Sequence, residues 1–554
     1  MAVNVLRSVL HVLRGGRNTT EGGQREVVGL LSLFEQAAAA GAFVTLDQVL
    51  GRSGSEDASS VCQRLDALVI VTANRPRCLA RCVDSYLPRA AEHGARVLVL
   101  DASAEGCIER ECKVVVDSRS ATRQGAVRYV GRVTRRAFMS AISRLSGVGL
   151  QLVNRACEGD DRLGFSAGAN RNLALLMTAG RRLLMVDDDT ICQPGIVESG
   201  RETTWTLASS QRMRTIRRYA TVGAAMAAAE ASAVNPLDAH ARVLGAQVQS
   251  CLRSGDRRSL NGSDDMTIAD LLDDTGTLLC SMNGVAGHSG ARWPQQMFGE
   301  VPHVAADWES ERAFSETFRS QAVTAQVSRP TISSTAFCAS MFLGVDNREL
   351  MPPFVPWGRS EDVLFGRTLR RCRRGAYVAD LPFVLQHDPQ ERAPLSFEAV
   401  ARQGRVECAY AIGDLCEAVT PLPGQVTADN IVRMGRNFVD LSAGTASALE
   451  EVMRVSALRR LTARIGAIEE AMATAPPQVF QEWRRGCMTQ LQVLRLLCGE
   501  RDAWVPLELC ENSGSDGRGE STRERIALFG EVLAAWPALW DAAKQLSQEG
   551  DAPA

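Results

Sequence analysis

Three consecutive carboxylates at 187–189 end an apolar run, RRLLMV, at 181–186. Adjacent carboxylates repel one another, so at the end of a buried strand they need a cation or hydrogen-bond donors to neutralise them. On an extended chain Asp187 and Asp189 point to the same side, and such a pair suits a hard divalent cation that carries a diphosphate. Ligands also bind at the carboxyl ends of strands in open α/β sheets. The alternative interpretation is an acidic turn in solvent.

Two further acidic residues, Glu361 and Asp362, open a helical pattern, EDVLFGRTLRR, directly after the letters WGRS. Asp362 is placed to act as a general base towards a hydroxyl group. The positive end of the helix would keep Asp362 ionised, with Ser360 as the capping residue. Trp357 and Gly358 suit an acceptor platform and a close approach of the backbone to a ligand. Simple stabilisation of the first helical turn is the alternative interpretation.

The stretch GFSAG at 164–168 fits the G-x-S-x-G turn that presents a nucleophilic serine in α/β-hydrolases. That turn needs an apolar strand running into its first glycine, whereas CEGDDRL at 157–163 is polar and charged. A hydrolase also needs an acid and a histidine downstream, which a chain of this length supplies by chance. We therefore predict a turn into a helix that begins near Ala169. Ser166 or backbone N–H groups would cap this helix or face an anion.

Short apolar runs alternate with helical patterns between residues 61 and 395. Continuous apolar strands of this kind indicate an α/β fold with a mostly parallel sheet covered on both faces. The predicted strands are 67–72, 95–101 and 181–186, and the predicted helices are 77–87 and 169–180. Residues 396–554 are helical in pattern, and 1–60 are predicted to be a helical extension that ends in a linker rich in Gly, Ser and Asp.

Composition limits the classes of function. The 554 residues carry a net charge of −2, which excludes a global basic field for nucleic acid. The 16 cysteines include no C-x-x-C pair and are typical of small buried side chains in a reducing, cytoplasmic protein. No apolar run approaches the ~20 residues of a membrane span, so we predict no transmembrane segment. Only Lys113 and Lys544 are lysines among the 62 basic residues, a bias that favours a GC-rich, bacterial genome.

Six motifs follow one another between residues 61 and 395: VIVTANRPRCLARCVDSYL (69–87), VLVLDAS (97–103), GFSAGANRNLAL (164–175), DDD (187–189), WGRSEDVLFG (357–366) and VLQHDP (384–389). Their order resembles that of GT-A fold glycosyltransferases of the inverting family-two type. The resemblance implies a Rossmann-like, mostly parallel nucleotide-sugar domain, here followed by an all-helical C-terminal region.

The resemblance also implies a role for individual positions. The implied donor-binding residues are Thr72, Asn74, Arg75, Asp101, Arg171, Asp187 and Asp188, with Asp101 at the position that reads the base. Asp187, Asp189 and His387 would hold Mn²⁺ or Mg²⁺, and the histidine favours Mn²⁺. Asp362 would be the catalytic base, with Glu361 beside it.

By this resemblance the chain would be a hexosyltransferase. It would move a sugar from a nucleotide sugar, a UDP-sugar by default, to an acceptor hydroxyl that the sequence does not identify. Arg75 and Arg171 could equally be salt-bridge partners, and the alanine after Asp101 leaves the base open. Residues 200–330 lengthen the domain as an insertion. Within them, GVAGHSGARWPQQMFG (284–299) either lines the acceptor side or is a structural loop.

Two other classes of protein stay open. A catalytically inactive, glycosyltransferase-like scaffold would bind nucleotide and present its C-terminal helices to a partner. A sugar nucleotidyltransferase would need a glycine-rich phosphate loop after the first strand, and TANRPR at 72–77 contains no glycine. The C-terminal helices could also form a homo-oligomer, cover the acceptor site or dock another protein.

Overall fold

The computed structural model describes most of the chain between residues 64 and 549. The described residues are 64–120, 127–160, 166–197, 203–208, 214–252, 267, 270, 275–290, 297–300, 310–334, 338–389, 394–419, 427–476, 479–500, 502–506 and 518–549. The predicted N-terminal extension at 1–60 lies outside them, as do Gly164 and Phe165 of the GFSAG stretch.

Thirteen strands in the described residues belong to one mixed sheet. In chain order they are β1 (Ala67–Thr72), β2 (Arg96–Asp101), β3 (Val127–Val130), β4 (Arg181–Asp187), β5 (Thr190–Ile196), β6 (Thr206–Ala208), β7 (Arg214–Tyr219), β8 (Glu230–Ala231), β9 (Thr277–His288), β10 (Ala322–Val327), β11 (Thr331–Ser334), β12 (Phe342–Asn347) and β13 (Ala376–His387).

The helices of the described residues cover both faces of the sheet and continue beyond it. In chain order they are α1 (Pro76–His93), α2 (Gly106–Ser120), α3 (Arg132–Ser146), α4 (Leu150–Cys157), α5 (Ala167–Met177), α6 (Val222–Ala227), α7 (Pro236–Val243), α8 (Val248–Leu252), α9 (Glu311–Ser320), α10 (Glu361–Cys372), α11 (Phe397–Ala401), α12 (Cys408–Ala418), α13 (Thr427–Ala443), α14 (Ala446–Thr474), α15 (Gln481–Gly499) and α16 (Arg518–Glu549).

The first four strands form a parallel block in the order β3-β2-β1-β4. Every residue of β1 is buried, as expected for an apolar strand covered on both faces. The predicted strands are confirmed as β1, β2 and β4, with ends that differ by no more than one residue. Because these strands are parallel, their carboxyl ends meet along one side of the sheet, which we call the carboxyl edge.

The rest of the sheet is mixed. β12 lies antiparallel between β4 and β9, and β9 pairs in parallel with β13. The predicted α/β class with a mostly parallel central sheet is therefore confirmed, with β12 as the reversed strand. This order places the start of β12 and the end of β13 at the carboxyl edge. The segment predicted as an insertion, 200–330, supplies β9, which lies in the middle of the sheet.

Two predicted helices lead away from the carboxyl edge. The helix predicted at 77–87 is confirmed within α1, which starts with Pro76 in its first turn and ends at Gly94 with a φ of 83°. The helix predicted at 169–180 is α5, which starts two residues earlier and ends at Met177. Both helices therefore present their N-terminal ends, where the helix dipole is positive, to this edge.

Helix α16 joins the core of the α/β region. The indole N–H of Trp536 donates to the carbonyl of Met351 at 2.7 Å, and that of Trp540 donates to Asn347 Oδ1 at 3.0 Å. Both tryptophans belong to the same buried apolar cluster as β1, β4, α5 and α10. The described part of the chain after residue 396 contains helices and no strand, so the predicted C-terminal helical region is confirmed.

One segment among the described helices, Ser521–Glu549 of α16, is long and apolar enough to cross a membrane by length and composition. Its mean hydropathy is 1.3, and 61% of the most apolar window is buried inside the protein. The apolar character of this helix is thus largely accounted for by its packing on α13 and on the α/β core.

We expect Trp536→Ala to lower the free energy of unfolding by about 3–5 kcal/mol, because it removes a fully buried indole and leaves the Met351 carbonyl without its donor. Urea denaturation would measure the change. Met488→Ala on α15, where the side chain is 63% exposed, is the control and should unfold like the wild type. Equal stability of the two variants would show that α16 is not part of the cooperative core.

Candidate active site

The acidic residues singled out in the sequence lie together at the carboxyl edge. Strand β4 ends at Asp187, and the chain turns through Asp188 and Asp189 into β5. The expectation of an extended chain through all three residues is therefore wrong, because the strand stops at the first of them. We call residues 187–189 the acidic triplet. Each of its carboxylates has a different set of neighbours.

Asp188 is the most enclosed member of the acidic triplet, with none of its side chain exposed. Its Oδ2 accepts a hydrogen bond from the hydroxyl of Thr72, at the end of β1, at 2.6 Å. Its Oδ1 lies 3.2 Å from Nη2 of Arg75. Burial raises the pKa of Asp188 to about 7, although the Arg75 charge opposes that shift. Thr72 and Arg75 thus stabilise a carboxylate that the fold removes from water.

Asp189 forms a buried pair with His387, the last residue of β13. Asp189 Oδ1 and His387 Nε2 are 3.2 Å apart, and both side chains are 3% exposed. The other imidazole nitrogen, Nδ1, lies 2.5 Å from the backbone carbonyl of His288. A carbonyl only accepts, so Nδ1 carries a proton and Nε2 of the neutral ring faces Asp189 with its lone pair. Two electron-rich atoms at this distance need a proton or a cation between them.

This arrangement fits a divalent cation in part. Asp189 Oδ1 is buried and receives no hydrogen bond, and a backbone carbonyl that orients the opposite nitrogen is a common support for a metal-binding imidazole. Carboxylate and imidazole suit Mn²⁺. However, the described residues contain no group of three His, Cys, Asp or Glu side chains arranged to hold a metal ion. Asp189 and His387 could therefore supply two ligands, and water or a bound substrate would have to supply the others.

The pKa of Asp189 is shifted downwards, whereas that of Asp188 is shifted upwards. Burial alone would raise the pKa of Asp189, but His387 and Arg75 outweigh it and hold that pKa below its usual range. For His387, burial lowers the pKa and Asp189 raises it, with a net upward shift. In the absence of another cation, the proton on His387 and the guanidinium of Arg75 therefore neutralise Asp189.

Arg171 connects the acidic triplet to the acidic pair at the start of α10. Its Nη2 donates to Asp187 Oδ1 at 2.7 Å, and its Nε lies 3.3 Å from Oε1 of Glu361. The Arg171 side chain is only 4% exposed. Burial raises the pKa of Glu361 to about 7, while Arg171 opposes the shift. Arg171 therefore forms ion pairs, which was one of the two alternatives predicted for it. These pairs are buried within the site.

Asp362 lies on the exposed side of this pair. Its Oδ2 accepts from the backbone N–H of Ser340 at 3.1 Å, and its Oδ1 accepts from the N–H of Val363 at 2.8 Å. Burial raises the pKa of Asp362, and these two donors act against the shift. As a residue, Asp362 remains partly exposed, whereas Glu361 is buried. Of the two residues, Asp362 is the more exposed.

The residues predicted to bind the base border the same edge. Asp101 ends β2 and is 2% exposed, and its carboxylate accepts from Ser103 and from the hydroxyl of Tyr129. Asn74 is exposed and has a φ of 59°. Its backbone N–H donates to Ser103 Oγ at 2.8 Å, and its side chain accepts from the N–H of Ala104. Asp101 and Asn74 thus fix the loops after β2 and β1.

Sequence reasoning missed the supporting role of Asn170, Arg135 and Ser340. Asn170 donates to the carbonyl of Leu100, at 3.0 Å, and accepts from Arg135, so it ties α5 to the end of β2. Ser340 accepts from Arg171 and donates to Asp362. The letters ANRN marked Asn170 as part of a motif without giving it a role. Arg135 and Ser340 stand in stretches that carry no local signal.

Two local expectations are wrong, and for Ser166 one of the alternatives is excluded. Trp357 is 1% exposed inside the apolar core, so it cannot serve as a surface platform for an acceptor. Ser360 has a φ of 61° and does not cap α10, because its hydroxyl donates to Glu407 at 2.7 Å. Ser166 does not cap α5 with its side chain, because its hydroxyl donates to the carbonyl of Glu158. Gly358 has a φ of 76°, and a Cβ atom there would point into open space.

Comparison with known proteins gives no family for this chain. No family model matches it, and no curated protein matches it with significance. Its function is therefore inferred from the residues at the carboxyl edge.

We expect Arg171→Met to lower the free energy of unfolding at pH 8 by about 3–5 kcal/mol, because it leaves the buried carboxylate of Glu361 without its cation. In the double variant Arg171→Met/Glu361→Gln that unpaired charge is absent, so part of the loss should be recovered. Chemical denaturation of both variants and of Glu361→Gln would measure the coupling. Additive effects of the two substitutions would contradict a direct interaction.

Proposed function

We propose that this chain is a metal-dependent, inverting glycosyltransferase that moves a sugar from a nucleotide sugar, a UDP-sugar by default, to an acceptor hydroxyl. One observation carries the proposal: Arg171 links the acidic triplet to Glu361, and Asp362 and His387 lie at the same edge of the sheet. Residues from four motifs far apart in sequence thus meet where α/β sheets bind ligands. The order of the motifs, which resembles that of GT-A enzymes, supports the same conclusion.

The donor side would use the ends of β1, β2 and β4. Arg75 is a half-exposed cation at the N-terminal end of α1, a position that suits a diphosphate. Asp189 and His387 would hold the metal ion, which supplies positive charge to the leaving diphosphate when it is bound. Thr72 keeps Asp188 in place behind them. Asp101 and Asn74 shape the two loops that border the space for the nucleoside.

The acceptor side would use the start of α10. Asp362 is a partly exposed carboxylate, and the N–H groups of Ser340 and Val363 orient it. It would take the proton from the attacking hydroxyl, as a general base does in a single displacement. Glu361 points away from the acceptor and pairs with Arg171. Gly358, whose missing side chain leaves open space, would allow the acceptor to approach the backbone.

We expect the purified protein to release the nucleoside diphosphate slowly from one of the common UDP- or GDP-sugars when Mn²⁺ is present, with water as the acceptor. Asp189→Ala should abolish the release, because it removes a ligand of the metal. Asp362→Asn should lower the rate by about 10²- to 10⁴-fold, the contribution of a general base. Chromatography of the released nucleotide would identify the donor and measure each rate.

Asp346→Asn is the matched control. Asp346 is a buried, ion-paired carboxylate in β12 at the opposite end of the same sheet, bonded to Arg348, so its loss should leave the release intact. Metal-dependent nucleotide binding without release from any donor would favour the inactive scaffold. Release of pyrophosphate from a nucleoside triphosphate and a sugar phosphate would favour a nucleotidyltransferase. Neither binding nor release would overturn the proposal.

The rate should fall as the pH falls through the pKa of Asp362, which burial raises, because a protonated Asp362 cannot accept a proton. Glu361→Gln removes the neighbouring negative charge and releases Arg171 from its ion pair with Glu361, so that Arg171 acts more strongly on Asp362. Both changes lower the pKa of Asp362, so the acid limb of kcat/KM should move down by roughly one pH unit. A limb that stays in place or moves up would contradict the assignment of Asp362 as the base.

A further inference from the structure

The guanidinium of Arg75 occupies a position between two carboxylates of the acidic triplet. Its Nη1 donates to Asp189 Oδ2 at 2.5 Å, and its Nη2 lies 3.2 Å from Asp188 Oδ1. The two carboxylates are buried, whereas the Arg75 side chain is 44% exposed. A partly exposed cation thus neutralises desolvated charges. Such a cation can leave without exposing apolar surface.

The backbone on both sides of Arg75 is held by contacts that do not involve the guanidinium. Asn74 adopts a left-handed φ of 59°, and Ser103 and Ala104 hold it through its N–H and its side chain. Pro76 begins α1 on the other side of Arg75. A strained residue kept in place on both sides indicates a position that the fold specifies. The guanidinium can therefore change partners while its Cα stays where it is.

Asp189 has a second oxygen that Arg75 does not use. Oδ2 accepts from Arg75, whereas Oδ1 is buried without a hydrogen bond and faces His387 Nε2 at 3.2 Å. The same carboxylate therefore lies between a guanidinium on one side and an imidazole that could ligate a metal on the other. A divalent ion bound to Oδ1 and Nε2 would place two positive charges close to the Arg75 guanidinium, which they would repel.

We propose that Arg75 is an exchangeable counter-cation: it neutralises Asp188 and Asp189 in the ligand-free protein, yields Asp189 to the divalent cation, and then binds the diphosphate of the donor. The inference rests on the proposed function and assigns Arg75 a role in the order of binding. The exchange keeps positive charge beside Asp189 at each stage, because one cation replaces another before the anionic donor arrives. Metal and Arg75 compete, whereas diphosphate and Arg75 attract each other.

Loss of Arg75 should strengthen metal binding and weaken diphosphate binding, so the variant Arg75→Ala tests both effects. We expect Mn²⁺ alone, followed by the electron paramagnetic resonance signal of the free ion, to bind this variant roughly threefold or more tightly than the wild type, since a competing cation is gone. Inorganic pyrophosphate, measured by calorimetry on the Mn²⁺-loaded protein, should bind the variant several-fold more weakly. Mere damage to the site would weaken both.

Arg81→Ala is the matched control. Arg81 lies on α1 and pairs with Asp388 at 2.5 Å, next to His387, with a side chain 33% exposed. Its loss removes a cation from the same region but leaves the ion pairs of the acidic triplet in place. Mn²⁺ binding should therefore change less than in Arg75→Ala. Arg75→Lys keeps the charge and should bind Mn²⁺ like the wild type.

The possible failures are distinguishable. Saturable Mn²⁺ binding that Asp189→Asn weakens, but that Arg75→Ala leaves unchanged or weakens, would overturn the role of Arg75 alone. An equal gain in Arg81→Ala would also overturn it, because the effect would then be one of general charge. Mn²⁺ binding that is absent, or that does not depend on Asp189, would overturn the cation site and with it the metal dependence of the proposed function.

Discussion

Desolvation of carboxylates is the constraint on which the rest of this site depends. Five acidic side chains meet at the carboxyl edge: Asp187, Asp188, Asp189, Glu361 and Asp362. Their charge is costly in a setting largely removed from water unless cations or donors face it. The cations and donors that face these carboxylates are Arg75, Arg171, His387 and the hydroxyl of Thr72. They do not supply a hydrogen bond to every carboxylate oxygen. One oxygen of Asp188 and one of Asp189 are buried without a hydrogen-bond donor, and each lies 3.2 Å from a nitrogen of a basic side chain, Arg75 and His387 respectively.

Close packing sets the distances within this arrangement. A Cβ atom on Gly168 would lie 2.0 Å from the carbonyl of Val355, so only glycine lets the start of α5 approach this segment so closely. The approach brings Arg171, three residues later, within reach of both Asp187 and Glu361. The second glycine of GFSAG therefore contributes to the site through packing. Ser166, the serine of this stretch, donates its hydroxyl hydrogen bond to the carbonyl of Glu158.

The sequence pattern predicted those strands and helices whose formation depends on residues close together in the chain. β1 and β4 could be predicted because their buried apolar runs are continuous, and α1 because its apolar residues follow the helical period. The place of β9 in the middle of the sheet depends on pairing with β12 and β13, which are distant in sequence, and no local pattern contains it. Trp357 shows the same limit. A tryptophan beside a glycine is typical of a ligand platform, yet packing that includes the last helix buries it.

During synthesis, helix α16 is made after the acidic residues of the site. The chain leaves the ribosome from its N-terminus, so the acidic triplet and Asp362 emerge well before the helix whose Trp536 and Trp540 bond to Met351 and Asn347. Until that helix arrives, the start of the segment that leads to Asp362 has a carbonyl without its donor and an apolar face open to water. The nascent chain can therefore contain every acidic residue of the site and still lack the packing of α16 against the segment before Asp362. Translation itself delays completion of the site.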